Sequence, residues 1–118
     1  MPAQQHATPL HFGEERLDAL QGHSFEYFLR ETNLSNGLVA DKSQAGSPAS
    51  IAAVGFALAA YPVGVERGWV ARADALARTL ALLRFFWASP HGTAPDATGH
   101  KGFYYHFLDM GPGQRAGL

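Results

Sequence analysis

Residues 47–62 read Ser47-Pro48-Ala49-Ser50-Ile51-Ala52-Ala53-Val54-Gly55-Phe56-Ala57-Leu58-Ala59-Ala60-Tyr61-Pro62. Between Ile51 and Ala60 no side chain is polar, and a run of ten residues is too short to cross a bilayer. Ser47-Pro48 reads as a helix start. Serine can accept from the free N–H groups of a first turn, and proline fits there because its missing N–H is one of the unpaired ones. The stretch is therefore expected to be a helix from Pro48 to Tyr61, stopped by Pro62. A helix that is apolar all round is buried all round. Its alanines and Gly55 imply that neighbouring helices come close.

Two further helices flank it. From about Glu14 to Glu31, the residues Leu17, Leu20, Phe25, Phe28 and Leu29 recur on one face; Gly22 weakens the middle and Asn33 marks the stop. From Ala71 to Ala88, the residues Leu76, Leu80, Leu83 and Trp87 form a stripe, with Arg72, Asp74, Arg78 and Arg84 mostly off it. Asp74 and Arg78 are spaced for an i,i+4 ion pair worth about 0.3 kcal/mol. Trp69 and Trp87 are expected in the core, and Glu66-Arg67 as an ion pair at a helix junction.

Between helices one and two, Asn36-Gly37 is a tight turn, Leu38-Val39 a short extended piece, and Asp41 to Gln44 a polar loop. Residues 63–69 read as a connector with one helical turn around Val65 and Glu66. After the third helix comes a loop from Ser89 to Lys101. Phe103 to Leu108 then alternate as a strand, and Gly111-Pro112-Gly113 make a turn.

Burying one helix on all sides takes roughly five or six neighbours at the ~10 Å spacing of packed helices. Two other helices and a strand do not supply them. The pattern of an apolar inner helix between amphipathic outer ones is that of a double-layered helical toroid, with further neighbours from the same polypeptide or from partner subunits.

Composition narrows the class. The chain has 118 residues, enough for one small domain, and is 47% hydrophobic and 16% charged, which argues against disorder. Nine basic and ten acidic residues are scattered, leaving no footprint for nucleic acid or an anionic membrane. There is no cysteine, so disulfides, thiolate zinc sites and a cysteine nucleophile are excluded. Six histidines form no HxH or HxxxH pair, and no metal or other cofactor is expected. Residues 1–12 read as a disordered or extended lead-in without the apolar stretch of a signal peptide. The domain is expected over residues 13–118.

Six ordered blocks carry a family resemblance. They are Ser24-Phe25-Glu26-Tyr27-Phe28, Asn36-Gly37-Leu38-Val39, the stretch from Ser47 to Phe56, Tyr61-Pro62-Val63-Gly64-Val65-Glu66-Arg67-Gly68-Trp69, Leu83-Arg84-Phe85-Phe86-Trp87 and Lys101-Gly102-Phe103-Tyr104-Tyr105-His106-Phe107-Leu108-Asp109-Met110. Together they resemble the bacterial glucoamylase-like domain. That domain is similar to the endo-β-1,2-glucanases of glycoside hydrolase family 144 and to the related domain of cyclic β-1,2-glucan synthases. The resemblance implies an all-α fold, the N-terminal portion of an (α/α)6 toroid, with three main helices and a short C-terminal β segment. It also implies export to the bacterial periplasm. In this family a segment like Gln114-Arg115-Ala116-Gly117 leads into a helix bearing acidic residues. The catalytic carboxylates are therefore expected beyond Leu118, and no catalytic residue is assigned here. Lys42 stands where the family more often has arginine, which weakens any bidentate contact there.

Glycoside hydrolysis uses two carboxyl groups across the scissile bond. Asp41 and Asp109 stand in loops that this toroid turns toward its cleft, and loop structure or a sugar hydrogen bond suits them better than acid–base work. Tyrosine suits sugar rings, which have apolar faces and polar edges. The expected substrate-binding residues are Asp41, Lys42, Tyr104, Tyr105 and His106, and the expected partner is an oligo- or polysaccharide. The expected function is that of a carbohydrate-active fragment acting on β-glucan, β-1,2-glucan first, and inactive alone. A second reading is a small helical binding or scaffold module that oligomerises through helix 48–61. A third is a non-functional gene remnant.

Overall fold

A computed structural model describes residues 2–116, with side chains from residue 13 onward. Three helices and four two-residue strands follow in the order α1 (Pro2–Arg30), β1 (Ala49–Ser50), α2 (Ile51–Arg67), α3 (Arg72–Ala88), β2 (Gly99–His100), β3 (Phe103–Tyr104) and β4 (Phe107–Leu108). This is the expected content of three main helices with short β segments. The lead-in expected over residues 1–12 lies outside the residues described with side chains.

Helix α2 differs from its expectation at both ends. Ser47-Pro48 is not its start. The Ser47 hydroxyl accepts from the Lys42 N–H and donates to the Pro48 carbonyl. Ala49 and Ser50 are extended and pair with Leu108 and Phe107 of β4. A strand partner far along the chain overrides the local capping signal. Nor does Pro62 end the helix, which runs on to Arg67. Pro62 is exposed, so the carbonyl left without its donor can turn toward water. The next turn is held in place by the buried Tyr61 and Gly64. The helix ends at Gly68, whose φ of 77° is left-handed. The Gly68 N–H bonds the Val65 carbonyl and the Trp69 N–H the Gly64 carbonyl, a Schellman ending.

Within the chain α2 is covered on one side only. Val54, Ala57, Tyr61 and Gly64 are buried, while Ala52, Gly55, Phe56, Ala59 and Val63 are exposed. The expected all-round burial is thus not met: α1, α3 and β1, which contact α2, leave these residues uncovered. In α3 the buried residues are Ala75 and Leu82, not the predicted stripe. Leu76 and Leu83 are exposed, and Trp87 is 93% exposed rather than in the core. Periodicity found one apolar face of α3, and another face packs on α2. In α1 the inward face is short: Phe25 is buried and Tyr27, Phe28 and Leu29 pack beside it, whereas Leu17 and Leu20 are exposed. Trp69 does pack at the core, its ring 5.5 Å from that of Phe25.

Charged groups join the helices at their ends. Arg78 pairs with Asp74 at 3.2 Å, as its spacing predicts, and its Nη1 also donates to the Phe28 and Leu29 carbonyls at 3.4 Å. A guanidinium thereby satisfies carbonyls in the last turn of α1, where the helix dipole favours positive charge. Adjacent residues of a helix do not face each other, and in place of the expected Glu66–Arg67 pair Arg67 lies 3.5 Å from Asp18 of α1.

The segments between helices form an antiparallel ladder. Thr32 pairs with Val39, Ala40 with Ala49, Ala49 with Leu108, and Leu108 with Arg115. The predicted strand 103–108 is divided: β3 pairs with β2 in a hairpin, while β4 pairs with β1. Tyr105 and His106 form the crossing between the two sheets. Asn36 locks the turn before the ladder: its Oδ1 accepts from the Leu38 N–H and its Nδ2 donates to the Met110 and Gly111 carbonyls.

Candidate functional site

The ladder decides where the expected site residues lie. Asp41 continues from Ala40, and its N–H donates to the Pro48 carbonyl. Asp109 continues from Leu108 on the far side of the Pro48 strand, and its N–H donates to the Gln114 carbonyl. Asp41 and Asp109 thus leave the same end of the ladder with one strand between them. That separates their backbones by about 10 Å, two strand spacings of ~4.8 Å. Lys42 follows Asp41 in the exposed loop. The Asp109 carboxylate accepts from the Gly111 N–H at 2.9 Å and shapes the turn there.

His106 leaves the opposite end. Its carbonyl accepts from the Ile51 N–H at 2.9 Å, so it satisfies the first donor of α2. Its side chain is exposed, with the ring 4.3 Å from that of Phe107. Tyr104 lies elsewhere again, over the C-terminal turn of α3. Its ring is 4.5 Å from Phe86 and 5.3 Å from His91, and 37% of the residue is exposed. Leu83, Arg84, Phe86, Trp87 and Tyr104 line an open, largely apolar groove.

Tyr105 faces inward. Its hydroxyl donates to the Gly92 carbonyl at 3.1 Å and accepts from Arg115 Nη1 at 3.3 Å, and the Arg115 guanidinium lies 4.7 Å from the ring centre. Of the five expected residues, Asp41 and Lys42 share one loop, Tyr104 and His106 face solvent on either side of Tyr105, and Tyr105 holds protein groups. Sequence reasoning misses Arg115, whose partner Tyr105 is ten residues away, and the side-chain bonds of Asn36, whose sequence signal is only that of a turn.

Near the first loop, burial raises the Tyr27 phenol above its ordinary value, and the carboxylates of Glu31 and Asp41 add to the shift. The Tyr27 hydroxyl donates to the Ala40 carbonyl, tying α1 to the ladder beside Asp41. Among the described residues no group of three or more His, Cys, Asp or Glu side chains could hold a metal ion. No helix among them is long and apolar enough to cross a membrane.

No protein-family model matches the sequence, and no curated protein is significantly similar to it. A solved structure is. The crystal structure of a proposed glucoamylase from Bacteroides uniformis superimposes with a TM-score of 0.74 over 89% of this chain, at 26% identity. The fold is glucoamylase-like. This chain spans 24% of the length of that protein. The likeness agrees with the resemblance carried by the six sequence blocks at the level of the glucoamylase-like fold.

Proposed function

We propose that this chain is the site-bearing first part of a glycoside hydrolase-like domain that binds β-glucan, with β-1,2-glucan as the substrate class. The observation that carries the reading is the structural likeness to a proposed glucoamylase over 89% of the chain. The substrate class comes from the sequence blocks alone. Asp41, Lys42, Tyr104 and His106 are the side chains exposed to a sugar. Cleavage needs a pair of carboxyl groups across one bond. No two carboxylates of this chain are assigned that role here; the resemblance carried by the sequence blocks implies that hydrolysis falls to an acid-bearing helix of the wider domain. The remainder of such a domain would cover the exposed faces of α2 and α3.

The test is calorimetric titration of the purified chain with β-1,2-, β-1,3- and β-1,4-gluco-oligosaccharides, with a parallel assay for released reducing ends. Binding of the β-1,2-linked ligand without release supports the reading. Cleavage by the chain alone would refute the assignment of hydrolysis elsewhere. Preference for another linkage refutes the substrate class, and failure to bind any of the three refutes the function.

A second reading, a scaffold module that self-associates through helix 48–61, draws on the outward face of α2, where Phe56 is 68% exposed. Light scattering separates the two: a monomer that binds glucan sinks the scaffold, and a defined oligomer indifferent to glucan favours it.

A further inference from the structure

We infer that Tyr105 and Arg115 form a positioning pair that sets the orientation of the two sugar-facing side chains, Tyr104 and His106; this rests on the glucan-binding reading above. Tyr105 stands at the crossing between the β2–β3 hairpin and the β1–β4 ladder. Its N–H donates to the Thr98 carbonyl, while the carbonyl of the next residue accepts from Ile51. The crossing is therefore tied to the hairpin on one side and to the start of α2 on the other.

The side chain adds a second set of ties. The phenol donates to Gly92 and accepts from Arg115, so both its donor and an acceptor position are used. Gly92 is followed back along the chain by His91, whose ring packs against Tyr104. Arg115 is itself held in the ladder, its N–H donating to the Ala97 carbonyl at 3.0 Å and its backbone bridging to Leu108. One phenol thus links the loop that supports Tyr104 to the strand that flanks β4. Tyr104 and His106 are neighbours of Tyr105 on both sides, and a turn of the crossing swings both. The Tyr105 hydroxyl is engaged by protein groups as donor and as acceptor, and the residue acts through its neighbours.

The experiment uses the whole chain and the variants Tyr105→Phe, Arg115→Lys and Arg115→Gln. Two readouts are taken well below the melting temperature: β-1,2-gluco-oligosaccharide affinity by calorimetry, and the ring resonances of His91, Tyr104 and His106 by NMR without ligand. Tyr105→Phe keeps the ring and removes both phenol bonds. It should weaken binding on the order of tenfold, the scale of one well-placed hydrogen bond, and shift all three ring resonances. Arg115→Lys keeps a donor and a cation and should restore binding to within about threefold. Arg115→Gln should behave like Tyr105→Phe and, being on the surface, keeps the fold. Wild-type affinity and unshifted rings in Tyr105→Phe and Arg115→Gln would overturn the inference. If the unaltered chain binds no glucan, the functional reading fails, and the ring resonances decide the positioning claim by themselves.

Discussion

Gly64 of α2 faces the ring of Phe25 in α1 so closely that a Cβ built on it would lie 2.2 Å from Phe25 Cζ. Only a hydrogen at position 64 allows this contact. Phe25 is buried and its ring packs against Trp69. Gly64→Ala gains helix propensity of up to about 1 kcal/mol but overpacks the core by about 1–3 kcal/mol. A net loss is expected, seen as a fall in Tm of several degrees. Gly22 supplies the control. There an added Cβ would meet Trp69 at 3.5 Å, ordinary contact distance. Gly22→Ala should leave Tm unchanged or raise it. A Tm for Gly64→Ala at or above the parent's would show that the two helices do not meet in this way.

Gly64 also shows where the sequence was silent. The span of α3 and the C-terminal end of α1 were readable to within a residue, because spacing is a local property, whereas α1 begins at Pro2 and not near Glu14. The close approach at Gly64 was not, since it depends on a ring presented by another helix. The same holds for Ser47-Pro48, a capping signal overruled by the pairing of Ala49 with Leu108. For α3 the period located one apolar stripe and left undecided which apolar face meets α2. The candidate site divided similarly. Alternation placed Tyr104 and His106 opposite Tyr105, but its partners, Gly92 in a bend and Arg115 in an isolated bridge, lie where no periodicity can be read.

Arg78 and Asp74 form one ion pair with unequal consequences. The Arg78 side chain is only 10% exposed and donates to two carbonyls of α1, whereas the Asp74 side chain is 49% exposed. Asp74→Ala should cost no more than about 0.5 kcal/mol, the worth of a solvated i,i+4 pair. Arg78→Ala removes this donor from the Leu29 carbonyl, while the Phe28 carbonyl keeps the Thr32 hydroxyl, and should cost about 1–3 kcal/mol. Urea denaturation of both variants measures the difference. Equal losses would mean that the cap on α1 contributes nothing.

The Tyr27 phenol links stability to alkaline pH. Burial first, then Glu31 and Asp41, raise its pKa above the ordinary 10.0. A folded-state pKa above the unfolded one gives stability that is complete below about pH 10 and is lost as pH rises through the folded value. The ionised phenolate also cannot donate to the Ala40 carbonyl. Thermal melts from about pH 8 to 11 should show Tm falling at the alkaline end. Tyr27→Phe should start lower, having lost the Ala40 bond, and fall less steeply. Parallel slopes for the two proteins would remove Tyr27 as the cause.

Trp87 and Phe56 separate what folds this chain from what it offers to other polypeptide. Both are large, apolar and more than two-thirds exposed. Trp87 belongs to the stripe on α3 and Phe56 to the outward face of α2, and neither is among the buried residues that join the helices. Residues that bury nothing in the chain contribute little to its stability, within about ±0.5 kcal/mol. Trp87→Ala and Phe56→Ser should therefore melt close to the parent in the isolated chain. Exposed apolar surface of this kind favours association, so the same variants should lower dye binding by apolar patches and raise solubility. Placed in a longer protein whose further helices pack on these faces, each should cost about 3–5 kcal/mol, the scale of a buried aromatic truncated to a small residue. A large loss already present in the isolated chain would show that α2 and α3 fold against each other through these faces, and would remove the reason to expect anything else to cover them.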